Sequence, residues 1–351
     1  MKRGARRAGR PGLLRELRAS AAPLAKTALL RMGGYAALRR ARPSRNVAIL
    51  RYHAICGPEG YGYADPQICI TPENFEQHVA YLTSAYQILR LEEIVRRLAA
   101  RKPLPSNTVA ITFDDGYADN LHAARVLHRY GATATFYITA GCLAGGEPFW
   151  PVEIRYLVRA IARKRAVLTA GPVTVELDLS SDLARAAAVK QLTRTFKSHS
   201  IPVREELRRR LREIAGAADV PRVMLTWDEV REMEGLGMTI GSHTMTHPNL
   251  PSAGVAAASR ELRESKARLE REVGEPISMF SYPNGGAERY LTPQIQQAVR
   301  DAGYAAATTS RNAFARPGSD LYGLERVEVE ERLEDLVFAL EVERFAFQPV
   351  P

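Results

Sequence analysis

The stretch "TVAITFDDGYADN", residues 108 to 120, decides the fold. Six residues rich in β-branched and aromatic side chains read as a buried strand, and two aspartates, Asp114 and Asp115, follow at its end with Gly116 directly behind. An apolar run closed by charge is the signature of a parallel strand whose C-terminal end opens on a working face. Similar runs recur along the chain: "NVAILRYH" at 46–53, "YQILRL" at 86–91, "TATFYI" at 133–138, "MTIGSH" at 238–243, "ISMFSYP" at 277–283, "AAATTS" at 305–310 and "RVEVE" at 326–330. Helical segments lie between several of them. "TPENFEQHVAYLTSAY" opens with Thr71 as an N-cap and Pro72 at the first helical position, and "ASRELRESKARLEREVG" ends in Gly274. About eight strands alternating with helices predict an α/β protein, a distorted (β/α)7-8 barrel.

Two segments depart from this rhythm. Residues 150–222 hold the alternating "VTVELDL" at 173–179 and two charged helical stretches, which read as a helical insertion acting as lid or interface. Residues 1–45 form a basic N-terminal extension, partly disordered or helical, ahead of a barrel over 46–351. Positions 1 to 46 carry 13 Lys and Arg against the single acid Glu16, and the rest of the 351 residues holds 36 basic and 38 acidic side chains. The formal charge of +10 therefore belongs to the extension, and the near-neutral body gives no hint of an acidic substrate or of specific nucleic-acid binding. The extension reads first as a solvated arm and second as a weak contact with an anionic membrane surface.

Lys26 and Arg31 break the apolar run of a secretory leader, and no stretch reaches the roughly 18 uncharged apolar residues of a membrane span. Cys56, Cys69 and Cys142 are odd in number and lack metal-ligand spacing, as expected in a reducing compartment. The expected location is the cytoplasm, with the inner membrane face as the site of any peripheral contact. Oligomeric state is left open.

Several strand ends carry chemistry. Asp114 and Asp115 follow "VAITF", His243 follows "MTIG" with His247 four residues on, His53 ends "VAILRYH", and "SYPNG" closes "ISMF". Adjacent carboxylates at a strand end repel unless a cation or proton takes up the charge. One carboxylate with two imidazoles is a common three-ligand set for a first-row divalent ion, Zn²⁺ before Mg²⁺. If one aspartate ligates, its neighbour is free to take a proton from water, and Gly116 lets the chain bend tightly after the pair. "DDG" by itself is a frequent turn, and His-x-x-x-His by itself marks two neighbours on a helix face. Their joint occurrence after separate strands is what points to a metal site.

"TFDDG" at 112–116 and "SHTMTHP" at 242–248, with "YPNG" downstream, resemble the polysaccharide deacetylase family, the nodulation-deacetylase homology domain of carbohydrate esterases. The resemblance spans about residues 46 to 330. It implies a distorted barrel that removes acetyl groups from N-acetylated sugars with a divalent metal, Zn²⁺ first and Co²⁺ or Ni²⁺ as alternatives. It further implies Asp114 as general base and Asp115, His243 and His247 as metal ligands. In the family's Arg-x-Pro-x-Gly motif this chain matches Pro283 and Gly285, which gives the Asn284 N–H an oxyanion-hole role. Ser281 stands where the motif arginine belongs, and Arg326 in "GLERVEV" is the candidate replacement.

The family's C-terminal leucine-x-histidine, which carries the general acid, is absent, because His247 is the last histidine. "LRYHAI" at 50–55 resembles a circularly permuted subset in which an N-terminal Tyr-His strand takes that place, making His53 the proton donor. Tyr282, Pro283, Arg326 and Trp227 are the candidate substrate contacts, with Trp150 a further ring able to stack on a sugar. The expected activity is metal-dependent N-deacetylation of a carbohydrate. Hydrolysis of a non-sugar amide or other C–N bond, or a carbohydrate-binding pseudoenzyme, are the alternatives.

Overall fold

A computed structural model describes residues 23–143, 145–284 and 290–345. Twelve strands are found there: β1 Ala48–Tyr52, β2 Ala54–Ile55, β3 Cys69–Ile70, β4 Gln87–Ile88, β5 Thr108–Phe113, β6 Thr135–Ile138, β7 Arg165–Ala170, β8 Val173–Asp178, β9 Thr239–Ser242, β10 Met279–Ser281, β11 Ala306–Asn312 and β12 Leu324–Glu328. Seven of them close a parallel ring in the order β1-β12-β11-β10-β9-β6-β5, with β5 returning to β1. This is the expected barrel, with seven staves. The run at 86–91 is not an eighth: only Gln87 and Ile88 form a strand, alongside β5 and outside the ring. The physical reason is that β1 takes one edge of β5 from Ala48↔Val109 to Tyr52↔Phe113 and β6 takes the other at Thr112 and Phe113, so the ring closes with β4 held only at Thr108 and Val109.

Alternation along the staves sorts inside from outside. Ala110 of β5 packs with Ile49, Tyr137, Met279, Ala306 and Leu324, contributed by five other staves, and this cluster is the barrel interior. Val109, Ile111 and Phe113 point the other way, to a larger core shared with the surrounding helices, where Phe113 stacks on Phe136 at 4.5 Å. Thr112 and Asp114, two and four residues beyond Ala110, therefore face inward at the mouth.

The segment following Trp150 has a core of its own. A helix at Trp150–Ala160 precedes the β7–β8 hairpin, and two helices follow at Asp182–Ser198 and Ile201–Ala215. Hairpin residues Leu168, Val175 and Leu177 pack with Ile154, Leu192, Phe196, Leu207 and Leu211 from the three helices. The buried positions 188, 192 and 196 of the middle helix recur at the spacing of one helix face, which leaves its adjacent face to look elsewhere.

The later part of the N-terminal extension is helical, at Pro23–Arg31 and Gly34–Ala41, and docks on the last helix, Leu333–Glu341. Tyr35 is buried against Val337 and Phe338, Lys26 pairs with Asp335 at 2.7 Å, and Arg39 with Glu341 at 2.9 Å. Residues 1–22 of the extension lie outside the described residues. No helix among the described residues is long and apolar enough to cross a membrane. The three cysteines are free and buried, with the Cys56 and Cys69 sulfurs 3.2 Å apart.

Candidate active site

Asp114 is still in strand register: its N–H donates to Tyr52 O at 3.1 Å, one step past the β1–β5 ladder. The chain then turns sharply, with φ of 79° at Asp115 and 90° at Gly116. A Cβ at Gly116 would lie 3.2 Å from Ile138 Cδ1 as well as in the left-handed region, so any other residue there would be both crowded and strained. The Asp115 carbonyl accepts from Thr139 N at 3.2 Å, which fixes the turn to the end of β6.

His243 enters from the far side of β6, where its N–H donates to Ile138 O at 2.9 Å. Its Nδ1–H donates to the Ser281 carbonyl at 2.8 Å, which leaves Nε2 as a lone-pair acceptor. The loop from Thr244 to His247 is held from three directions. Glu261 accepts from Met245 N at 2.8 Å, Thr246 N at 2.9 Å and the Thr246 hydroxyl at 2.7 Å. Arg204 donates to Thr246 O at 3.1 Å, and Trp150 Nε1 donates to His247 O at 3.0 Å. Six non-glycine residues have positive φ among the described ones, and four of them, Asp115, Thr244, His247 and Asn284, belong to this mouth. Strain of this kind persists only where surrounding structure imposes it, and here it aims side chains.

The result is a convergence of acceptors. Asp115 Oδ1 lies 3.4 Å from His243 Nε2 and 3.3 Å from His247 Nε2, and one donor atom from each residue lies within 4.8 Å of the others. Burial opposes ionisation of Asp115, yet contact with His243 and His247 holds its carboxyl well below the usual range. Burial also lowers the His247 imidazole, so that ring is neutral at neutral pH. One carboxylate and two imidazole nitrogens at these distances can be bridged by a proton or by a cation, and as a donor set they fit a divalent first-row ion. His247 Nδ1 has no hydrogen-bond partner among the described residues.

Beside it, Arg326 reaches across the barrel to Asp114. Its Nη1 and Nη2 donate to Oδ1 and Oδ2 at 2.8 and 2.6 Å, Nη2 donates to Ser281 Oγ at 3.1 Å, Nη1 to Thr112 Oγ1 at 3.2 Å and Nε to Thr309 O at 2.7 Å. Burial pushes the Asp114 carboxyl up, and the guanidinium more than offsets this, leaving it far below the normal carboxylate range. Arg326 is thus in contact with Ser281, at the motif-arginine position, as well as with the aspartate. Arg326 is only 1% exposed and its guanidinium is engaged by these partners, so it supports Asp114 from behind and does not line the cavity as a substrate contact.

The remaining candidates separate cleanly. A cavity of about 450 Å³ opens over the cluster and is lined by His53, Asp114, Asp115, Tyr282, Asn284, His243 and His247. His53 Nε2 stands 3.8 Å from Asp114 Oδ2, and burial, against the pull of both aspartates, lowers the imidazole to about 4. Tyr282 lines the cavity but spends its hydroxyl on Tyr322 O at 2.9 Å. Asn284, at φ 64°, borders the cavity with its side-chain Nδ2 buried and without a hydrogen-bond partner among the described residues; Pro283 is buried and does not line the cavity, and Gly285 lies outside the described residues. Trp227 is not brought to the cavity. It begins the helix Trp227–Gly235, half-buried under the Arg268 guanidinium at 5.4 Å. Trp150 is at the cavity, 1% exposed, as a support for His247.

Sequence reasoning did not single out Glu261, Arg204 or the cavity-facing side of the helix Asp182–Ser198. Glu261 is one acid among many on a charged helix, and nothing in its spacing says that its carboxylate closes the histidine loop.

The polysaccharide deacetylase family model matches residues 101–307. A candidate polysaccharide deacetylase of Bacillus subtilis (strain 168), YxkH, is 22% identical over 308 residues, covering 87% of this chain and 79% of its own. Among solved structures, the Streptococcus pyogenes deacetylase PplD in complex with acetate is 19% identical with a TM-score of 0.56, covering 88% of this chain and 100% of that one. IcaB from Ammonifex degensii gives the same identity and TM-score over 85% of this chain and 98% of its own. The two structures share the barrel fold. With the family model matching more than half its length, the chain belongs to the polysaccharide deacetylase family.

Proposed function

We propose that this protein is a metal-dependent carbohydrate N-deacetylase. The observation that carries the reading is the pairing at the barrel mouth: Asp115, His243 and His247 meet within 4.8 Å, while the adjacent Asp114, pinned by Arg326, faces the same cavity. Family membership and the acetate held by the similarly folded PplD support it.

A divalent cation held by Asp115, His243 and His247, Zn²⁺ first and Co²⁺ or Ni²⁺ as stand-ins, would polarise the acetyl carbonyl and acidify water. Asp114, kept ionised by Arg326, accepts the proton of the attacking water. So low a proton affinity would serve for water acidified by such a cation, so the role of Asp114 goes with that of the neighbouring ligand set. As the water oxygen bonds to the acetyl carbon, the Asn284 N–H donates to the oxygen on which charge develops.

His53 delivers the proton to nitrogen, the C–N bond breaks, and acetate and a free amine leave. Neutral at rest, the ring takes its proton during turnover, with Asp114 Oδ2 the near source; a buried imidazolium is a strong acid and gives the proton up readily. The position of β1 between β5 and β12, the last stave, supports the idea that His53 stands in for a C-terminal histidine.

Metal-replete protein is expected to release acetate from a panel of N-acetylated glycans and to release no ammonia from small amides. Ammonia without acetate would instead assign a non-sugar amide hydrolase, and glycan binding with neither product a pseudoenzyme.

A further inference from the structure

Near-neutrality of the body as a whole conceals a local asymmetry at the cavity. The middle helix of the inserted segment, Asp182–Ser198, buries Ala188, Leu192 and Phe196 and turns Val189, Lys190, Thr193, Arg194 and Lys197 to the cavity. Positions 190, 194 and 197 are spaced i, i+4, i+7, so three of the four cations of this helix stand on one face. Its only acid, Asp182, lies a full two turns before them.

The distribution differs from that of the next helix, Ile201–Ala215. There every arginine has a carboxylate partner: Arg204 with Glu205, Arg208 with Glu153, Arg209 and Arg210 with Glu206, and Arg212 with Glu153. Lys190 and Arg194 have no such partner among the described residues. The three carboxylates lining the cavity are engaged elsewhere, Asp114 by Arg326, Asp115 by the two histidines, and Asp65 by Arg155 at 2.9 Å.

A solvated helix face would scatter its cations around the helix or lace them with acids, as the neighbouring helix does. Concentrated toward the cavity, they instead set a positive field over the entrance. A neutral acetamido sugar has no group that uses it. Two lysine point charges beside one arginine suit a compact multiply charged oxyanion better than a single planar carboxylate.

We infer that the substrate is an N-acetylated sugar carrying a phosphate group, with the metal cluster receiving the acetamido group and the Lys190, Arg194 and Lys197 face of the inserted helix receiving the phosphate. The inference rests on the deacetylase reading for its chemistry.

The test compares N-acetylglucosamine 1-phosphate with methyl N-acetylglucosaminide on zinc-loaded full-length protein, measuring both dissociation constant by calorimetry and kcat/KM by acetate release. The phosphate is expected to be preferred about tenfold to a hundredfold in both readouts, less at high salt. The double variant K190A/R194A, at exposed positions, should shrink the ratio at least tenfold. R209A/R210A, which removes as much charge from the neighbouring helix, should leave the ratio where it was. Equal binding of the two sugars, no binding of the phosphate, an undiminished ratio in K190A/R194A, or an N-acetyl sugar bonded to a uronic acid that binds as tightly as the phosphate would each overturn the inference. Phosphate-selective binding without acetate release would sink the deacetylase reading and keep this one; acetate release without selectivity would do the reverse.

Discussion

Arg326 and Asp114, 212 residues apart in sequence, meet in the barrel interior through two parallel hydrogen bonds of 2.8 and 2.6 Å. A fork of this kind sets the direction of a carboxylate as well as its charge. Removing the cation alone leaves a buried charge uncompensated, at a cost of about 3–5 kcal/mol. R326M is therefore expected to lower the midpoint of denaturant unfolding strongly. R326K, which keeps the charge without the fork, should be milder in stability. In R326M the acid limb of kcat/KM should move to higher pH, because Asp114 loses the partner that holds its carboxyl low, and in R326K it should move less, because the charge stays without the fork. Stability loss with an unmoved acid limb would show that Arg326 acts on the fold alone.

Asp114 and Asp115 are neighbours with different surroundings, so their amides should behave differently. D114N is expected to retain the bound ion and lose acetate release by a factor of about 10² to 10⁴, the usual contribution of a positioned base. Loss of metal from D114N would place the two aspartates in one shared role.

His53 lines the cavity within 3.8 Å of Asp114 and touches neither His243 nor His247 in any described contact. H53A is expected to keep full metal content while kcat falls about 10²-fold or more. The loss should be smaller for substrates whose leaving amine is less basic, since these need less help from an acid. Unchanged turnover would remove His53 from the chemistry.

Glu261 offers a way to weaken the site from outside. Its carboxylate accepts three hydrogen bonds from Met245 and Thr246, within the loop that carries His247. E261A is expected to weaken metal binding about 10- to 100-fold, the range for residues that orient a ligand. Since the glutamate bonds the loop and no residue of a stave, the circular dichroism spectrum should stay that of the parent. An unaltered metal affinity would mean that the loop holds its shape without the glutamate.

Acid should destabilise the protein through His78 as well. Fully buried on the helix Pro72–Ala85, with Nδ1 3.3 Å from the Tyr52 hydroxyl, its imidazole is lowered to about 4 by burial. Because the folded value lies below the unfolded one, near 6.5, the unfolded chain binds the proton first, and stability is present above pH 6.5 and lost as pH falls toward 4. The loss is on the order of 2–3 kcal/mol. H78N should flatten that part of the stability-pH curve; an equally steep curve would assign the acid sensitivity to other groups.

Much of this site could be read from the chain because its parts share one local grammar. "TVAITF" then Asp114 and Asp115, "MTIG" then His243, and "VAILRY" then His53 each join an apolar stave to a polar residue at its end, so a barrel brings them to one mouth whatever the helices between do. Other features depend on how distant elements pack. "YQILRL" has the composition of a stave, yet it pairs with β5 only at Thr108 and Val109, on the edge opposite β1 that β6 takes over at Thr112 and Phe113. Arg326 could be nominated from its place near the last strand, but its approach to Asp114 follows from β12 lying between β1 and β11. Trp227 fails as a sugar platform because the helix it begins points it toward Arg268. The cations of the helix Asp182–Ser198 were visible at i, i+4, i+7, but only the docking of that helix on its own apolar core shows which way the face looks.

The most direct test of the account is the stoichiometry of Zn²⁺ binding to metal-stripped protein, measured by titration calorimetry on the parent chain and on D115N, H243A and H247A. One ion per chain, bound tightly by the parent and at least 10³-fold more weakly by each variant, is the expected result. A parent that binds no ion, or variants that bind it as well as the parent, would contradict the claim that these three side chains share one cation.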